Sequence, residues 1–260
     1  MDNYIPLKEY GKQMGIKTGD IVFISSDAKI MLLDALRNKS SKDLNDFIDG
    51  LIEVVGENGT IFFPTYNWGF CKGDTFDYHS TACETGALGT VALHRGDFKR
   101  TKHPIYSFAV YGKDKEYLVG LDNKDSFGLD SPFNYFKEKN VINYIIDVSL
   151  QHSFTFTHFA EEHSGVVEHR FIKEFSSQYI DERGIESTRV YSMFVRRLDM
   201  DVRTLIDPIE EDFIQNKAGH RFSINNSNIL RVELGKAYPI LLNDIEYNRS
   251  RKLCSYKGQE

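Results

Sequence analysis

Between Ser149 and Val166 the chain reads SLQHSFTFTHFAEEHSGV, a run that holds His152, His158 and His163 with Glu161, Glu162, Thr155 and Thr157. Imidazole, carboxylate and hydroxyl groups in one place can hold a metal ion, move a proton during group transfer, or simply face water on an amphipathic helix. Spacing bears on the choice. A helical zinc pair needs two histidines four residues apart, so that both point from one face. His158 and His163 are five apart, about 140° around a helix, too far for one ion unless the helix breaks between them. His158 and Glu161 are three apart and do share a face. The run therefore suits a histidine–carboxylate pair better than metal coordination. His152, Glu162 and His163 read as solvated or capping side chains, and His158 taken alone reads as readily as a satisfied core histidine.

Such a pair needs elements to aim it. The strand-like VINYIIDVS ends where the run begins, and ligands of open α/β sheets lie beyond the carboxyl ends of the strands. Upstream, DIVFISS is a short apolar run after Gly19. A connecting segment follows, and then Ser40 or Ser41 can cap a helix in which Leu44, Phe47, Ile48, Leu51, Ile52 and Val55 recur at helical spacing. GENG closes that helix and TIFF follows as a strand, so strand, helix and strand make a βαβ unit with two parallel strands. YSFAVYG reads as a further buried strand, and TRVYSMFVRRLD and NILRVELG as strands with polar flanks. No Pro-, Gly- or Ser-rich linker and no internal repeat divides the chain. The expected fold is α/β: one domain over residues 1–260, with a mixed, largely parallel central sheet flanked by helices, more β-rich toward the C-terminus.

Composition narrows the function classes. With 260 residues, 41% hydrophobic and 13% aromatic, the chain can bury a sizeable core. A net charge of -6 gives no basic footprint for nucleic acid or an acidic membrane. Nowhere do about 18 uninterrupted apolar residues occur to span a bilayer, and MDNYIPLKEYGKQMG lacks the apolar stretch of an export signal. Cys71, Cys83 and Cys254 are odd in number and form no Cys-x-x-Cys pair, which suits a reducing cytoplasm.

Thr155, His158 and Glu161, as Thr-x-x-His-x-x-Glu, resemble the signature of the aminoglycoside 3-N-acetyltransferase (antibiotic N-acetyltransferase) family, and other segments agree in order. GDIVFISS resembles the family's opening Gly-Asp strand that ends in paired serines, here Ser25 and Ser26. GTIFFPTY, Gly59 to Tyr66, is similar to its Gly-Thr strand ending in Pro-Thr, and ETGALGT, Glu84 to Thr90, to its Thr-Gly helix start. RTKHPIYSFAVYG, Arg100 to Gly112, resembles the central strand with its Arg, His-Pro, Ser and Gly, and SFGLDSPF the Gly and Ser-Pro loop. The similarity runs from about Gly19 to Glu162. The family commonly has His where this chain has Ile24, and an aliphatic residue where it has Asp27.

The resemblance implies an acyl-CoA:amine N-acyltransferase with acetyl-CoA as cosubstrate and no metal. The chemistry fits the residues. Acyl transfer to an amine needs the neutral amine, and amines are mostly protonated near neutral pH, so a base is required. Histidine can accept that proton, and a neighbouring carboxylate fixes its tautomer and steadies the imidazolium. His158 is the expected base and Glu161 its orienting partner. The oxyanion formed on the thioester needs a preorganised donor, for which Thr155 or Ser107 can serve. Ser25, Ser26, Arg100 and Ser107 are expected at the cosubstrate, with Arg100 offered to a CoA phosphate.

The acceptor is expected to be a small amino sugar rather than a nucleic acid or a membrane component, in a cytoplasmic protein for which a homodimer is left open. A nucleotide-linked amino-deoxy sugar for surface polysaccharide such as lipopolysaccharide would want an aromatic surface, which Tyr66 and Trp68 of YNWGF can offer. An aminoglycoside, a polycation, would want carboxylates. DPIEEDF, Asp207 to Phe213, is a candidate, although it also reads as a helix start with acids near the dipole. The nucleotide sugar is narrowly favoured, and the alternative is an aminoglycoside 3-N-acetyltransferase conferring antibiotic resistance. A zinc-dependent hydrolase ranks below both because of the histidine spacing. So does a non-catalytic binding module, because Thr155, His158 and Glu161 are all retained.

Overall fold

In DIVFISS alternate side chains part to opposite faces, as the two-residue period of a strand requires. Val22 and Ile24 pack on one side with Ile61 and Phe63, while Phe23 packs on the other with Phe62, Phe108 and Phe136. The strands concerned are β1 (Ile21–Ser26) and β2 (Thr60–Pro64), which are parallel as expected and joined through the helix Leu44–Val55. The cap of that helix is Asp43 rather than Ser40 or Ser41. Its carboxylate accepts the Asn45 amide at 2.9 Å and places a negative charge at the positive end of the dipole. Gly56, at φ 62° and ψ -167°, ends the helix in a positive-φ conformation that favours glycine. The expected connecting segment before it contains a second helix, Lys29–Arg37.

The structure is a computed structural model that describes residues 4–259, so the extreme ends of the expected 1–260 unit lie outside the described residues. The further strands are β3 (Phe76–Asp77), β4 (Lys99–Arg100), β5 (Phe108–Gly112), β6 (Ile142–Ile146), β7 (Arg170–Ile180), β8 (Glu186–Arg196), β9 (Arg203–Thr204), β10 (Gly219–Ile224), β11 (Ser227–Glu233) and β12 (Cys254–Ser255). The main sheet runs β10-β11-β6-β1-β2-β5-β4 with helices packed around it. It is a mixed sheet, but the expectation of largely parallel pairing is corrected. Only β1 with β2 and β1 with β6 pair in parallel, and the outer pairs are antiparallel. The expected βαβ crossover accounts only for the β1–β2 pair; β10 and β11 are a hairpin turned at Asn225 and Asn226, and a hairpin pairs antiparallel. The later part of the chain is richer in strands, as expected. There β7 and β8 form a long hairpin that joins β3 in a separate sheet.

This topology makes a site. Because β6, β1 and β2 run in the same direction, their carboxyl ends gather at one edge of the sheet, the place where α/β folds bind ligands. The β7–β8 hairpin supplies the facing wall.

Candidate active site

Between the carboxyl ends of β1, β2 and β6 and the β7–β8 hairpin lies a cleft of about 1550 Å³. A typical single small-molecule site holds roughly 300–1,000 Å³, so this one has room for two substrates. Ser25 and Ser26 line it at the end of β1 and Lys29 after it, Tyr66 and Trp68 after β2, and Thr155 and His158 after β6, while Arg170, Lys173 and Arg196 line it from the hairpin.

The helix Phe156–Ser164 fixes His158. Its apolar face, Phe156, Phe159 and Ala160, is buried, and the rings of Phe156 and Phe159 lie 6.3 and 5.6 Å from that of Tyr238 on the helix Leu234–Tyr247. Gly165, at φ 70°, ends the helix before the chain enters β7. With one face committed to the core, His158 and Glu161 share another, as their three-residue spacing requires. His158 Nδ1 donates to Glu161 Oε2 at 2.6 Å. An ionised carboxylate can only accept, so Nδ1 carries the proton and Nε2 keeps its lone pair. Nε2 has no hydrogen-bond partner among the described residues, and the side chain lines the cleft. Burial, and then the charge of Arg170, hold the His158 imidazole below its ordinary value against the opposing pull of Glu161, so it is neutral at neutral pH.

Glu161 lies behind His158 and is 1% exposed. Its Oε2 also meets Arg170 Nε at 2.9 Å, and its Oε1 accepts from His169 Nε2 at 3.2 Å. Burial alone would push this carboxyl up, but Arg170 and then His158 and His169 outweigh it and hold it well below the usual range. Glu161, His169 and Cys254 present donor atoms within 4.8 Å of one another, near enough for one cation. Arg170 already supplies the positive charge there, and Cys254, pushed up to about 12 first by burial and then by Glu161, remains a thiol. Neither His169 and Arg170, which touch Glu161, nor Cys254, which touches His169, stands out in the sequence. His169 and Arg170 lie beyond the run that ends at Val166, and Cys254 is 85 residues from His169.

The other expected site residues divide. Thr155 occupies the N-cap position of the His158 helix, on the cleft wall, and its hydroxyl caps nothing. Ser25 and Ser26 line the cleft, Ser25 donating to Asn143 Oδ1 at 3.3 Å. Trp68 is half-buried on the wall. Tyr66 also lines it but is 3% exposed, its ring packed edge-on with Tyr106 at 4.9 Å and Phe108 at 5.3 Å, so it presents no open face for a base to stack on. Arg100 and Ser107 are not brought to the cleft. Arg100 is 3% exposed and donates to Ser107 Oγ at 3.0 Å, to the Thr65 carbonyl at 3.0 Å and to the Thr81 carbonyl at 2.6 Å. Buried away from the cleft, with three of its five N–H groups committed to backbone and a hydroxyl, Arg100 braces the segments after β2; the expectation that it meets a CoA phosphate is corrected. Ser107, wholly buried, completes the same knot by donating to the Thr65 carbonyl at 2.9 Å.

ETGALGT is likewise a packing device. Thr85 Oγ1 donates to the Pro64 carbonyl at 2.9 Å, and a Cβ on Gly89 would stand 2.4 Å from that same oxygen, so only glycine lets the helix Ala87–Leu93 approach the end of β2. DPIEEDF is a helix start outside the cleft: Glu210 pairs with Arg221 and Asp212 with Lys252 at 2.6 Å. His152 is exposed at the cleft rim and bonded to Ser149 Oγ at 2.9 Å, while His163, expected to be solvated or capping, is half-buried and donates to the Phe127 carbonyl at 2.7 Å.

Glu162 departs from its expected solvated role. Burial, then the neighbouring Asp125, push its carboxyl up to about 8, and its Oε2 is buried without a hydrogen-bond partner. The folded protein therefore holds a proton here that the unfolded chain releases near the usual 4.5, so stability declines as pH rises from about 4.5 to about 8. Glu162→Gln is expected to remove this decline and to stabilise the protein at pH 8 by about 1–2 kcal/mol, after allowing for screening at a partly exposed group. Thermal melts of both proteins at pH 5 and pH 8 check it; equal stability at pH 8 would place the proton elsewhere.

No curated protein matches the sequence. Among solved structures, the YokD protein from Bacillus subtilis is 19% identical with a TM-score of 0.75, covering 96% of each chain. AAC-IIIb, in a binary complex with CoASH, is 16% identical with a TM-score of 0.78 over 95% of this chain and 98% of its own. AAC-VIa, bound to sisomicin, is 18% identical with a TM-score of 0.76 over 95% of this chain and 99% of its own. At these identities the likeness speaks to the fold. The family model for aminoglycoside 3-N-acetyltransferase matches residues 30–243, which takes in the cleft walls from β2 through β8 and the His158–Glu161 pair. By that match the chain belongs to the aminoglycoside 3-N-acetyltransferase family, acetyl-CoA-dependent N-acetyltransferases of amines.

Proposed function

We propose that the protein transfers the acetyl group of acetyl-CoA directly to a primary amine of an aminoglycoside-type amino sugar, with His158 as the base. The observation that carries this is the His158–Glu161 pair on the cleft wall, Nδ1 held at 2.6 Å and Nε2 open. In this reading Nε2 takes a proton from the acceptor nitrogen as that nitrogen attacks the thioester carbonyl. The carbon–nitrogen bond forms, the carbon–sulfur bond breaks, and the proton passes from the imidazolium to the departing CoA thiolate. In the same reading Glu161 steadies the imidazolium and the Thr155 hydroxyl, on the cleft wall, donates to the oxyanion. Ser25, Ser26 and Lys29, at the start of the helix Lys29–Arg37, suit one end of the cosubstrate, and Lys173 and Arg196 across the cleft suit its phosphates. The protein would then work in the cytoplasm, where acetyl-CoA is at hand; no helix among the described residues is long and apolar enough to cross a membrane.

The narrow preference for a nucleotide-linked sugar is withdrawn. It leaned on stacking by Tyr66, whose ring is enclosed, and on Trp68, and it finds no support among the relatives, one of which is bound to the aminoglycoside sisomicin. Carboxylates for an acceptor's ammonium groups are available on the cleft wall in Glu84 and Asp199, in place of DPIEEDF. Incubation with acetyl-CoA and a panel of amines, following free thiol, tests the proposal. Acetylation of an aminoglycoside, undisturbed by UDP or dTDP, is expected. Turnover of a nucleotide-linked amino sugar alone, with competitive inhibition by the free nucleoside diphosphate, would reverse it.

Acetyl-CoA is also expected to raise the melting temperature. A ligand that binds only the folded form adds about 2.7 kcal/mol at a hundredfold excess over Kd. A melt unmoved by millimolar acetyl-CoA would contradict its place as cosubstrate.

A further inference from the structure

Glu161 is gripped by the chain entering β7 as well as from its own helix. His158 Nδ1 and Arg170 Nε approach the same oxygen, Oε2, at 2.6 and 2.9 Å, and His169 Nε2 takes Oε1 at 3.2 Å. Arg170 is itself anchored, its Nη1 donating to the Phe194 carbonyl of β8 at 3.3 Å. We infer that Arg170 is a positioning residue for acetyl transfer, acting on His158 through the Glu161 oxygen that the two side chains share. The inference rests on His158 being the base.

The physical case is one of balance. A buried carboxylate beside a histidine, with nothing else near, draws a proton onto the imidazole, and a histidine already protonated cannot act as a base. A guanidinium on the same oxygen does two things. It keeps Glu161 ionised, so the carboxylate accepts from Nδ1 and never takes its proton, which leaves Nε2 as the basic atom. It also stands close enough to the ring to oppose a second positive charge. The groups facing His158 are Glu161 from its own helix, Arg170 from β7, Arg196 from β8 and the Phe127 ring at 5.9 Å. His169 and Cys254 reach it only through Glu161. Of the two cations, Arg170 alone touches Glu161, so its loss and not that of Arg196 would release the carboxylate's pull. The Nε contact is short but poorly aligned for a hydrogen bond, which fits a role exerted through charge and placement.

The test is the pH dependence of kcat in Arg170→Gln and Arg170→Lys with both substrates saturating, together with the KM for acetyl-CoA from a separate titration. Arg170→Gln is expected to move the acid limb to higher pH by about 1 pH unit, because the neutral imidazole loses the charge that protects it. Arg170→Lys keeps the charge and loses the shape. It is expected to hold the acid limb near wild type while kcat falls about 3- to 10-fold and KM for acetyl-CoA stays unchanged. A residue that merely stabilised the fold would move neither limb. An unmoved limb in Arg170→Gln overturns the inference, and should that variant fail to fold, wild-type kcat in Arg170→Lys overturns it instead. His158→Asn separates the two levels: if that variant turns over normally the base itself is wrong, whereas if it is inactive and the Arg170 variants behave as wild type, only the inference fails.

Discussion

Replacing His158 by Asn is expected to lower kcat by about 10²- to 10⁴-fold while leaving the fold and acetyl-CoA binding nearly intact. Asparagine is chosen because its side-chain amide can stand where Nδ1–H stands and still donate to Glu161, so the buried carboxylate keeps its partner and stability changes little. What the amide lacks is the open Nε2 lone pair. The pH profile adds a second readout. Burial and Arg170 hold His158 below its ordinary value, so wild-type kcat, with both substrates saturating so that the free amine's ionisation does not enter, should stay level through neutral pH and fall only as pH drops through that lowered value. The residual rate of His158→Asn should lack this limb. Steady-state kinetics from pH 5 to 8 with a thermal melt on each protein settle the matter; turnover near wild type, or a collapsed melting temperature, would remove His158 from the chemistry.

What could be read from the sequence follows the range of each interaction. The βαβ unit is local: apolar spacing gives the helix Leu44–Val55, and its flanking strands pair in parallel as that connection demands. The His158–Glu161 contact is local too, a matter of three residues on one helical face. Asp43 displaces the serines at the cap because the helix starts after it, a shift within the usual uncertainty of helix ends. Beyond local range the signal fades. The hairpin wall β7 has few buried positions, so its apolar alternation is weak, yet it delivers Arg170 and Lys173 to the cleft. Arg100 shows the converse. In a basic segment it reads as a phosphate ligand, and only the folded chain reveals that the carbonyls of Thr65 and Thr81 occupy its donors.

Glu161→Gln is expected to be the most destabilising of these substitutions, at about 3–5 kcal/mol, the range for removing one partner of a buried ion pair. Two hydrogen-bond donors and the Arg170 guanidinium converge on the carboxylate, and a neutral amide cannot satisfy them all. If its oxygen turns to His158, its NH2 meets the His169 Nε2–H, and in either orientation the Arg170 guanidinium is left without an opposing charge. For a chain of this size the melting temperature should fall by on the order of 10 °C. The pH dependence has a definite sign. Because the folded-state carboxyl is held below its unfolded value, its stabilisation is present above the ordinary carboxylate range and is lost as pH falls through the depressed value. Wild type should therefore lose stability steeply in acid, and Glu161→Gln should lose less over the same interval, its contribution being already gone. Turnover should also drop, by less than in His158→Asn, since the imidazole remains. Pairing the change with Arg170→Gln discriminates further: removing both charges together leaves no uncompensated ion, so the double variant should regain much of the stability lost by Glu161→Gln while staying catalytically impaired. A Glu161→Gln protein that melts like wild type, or a double variant whose losses simply add, would mean that the carboxylate is not the charged centre on which His158, His169 and Arg170 converge.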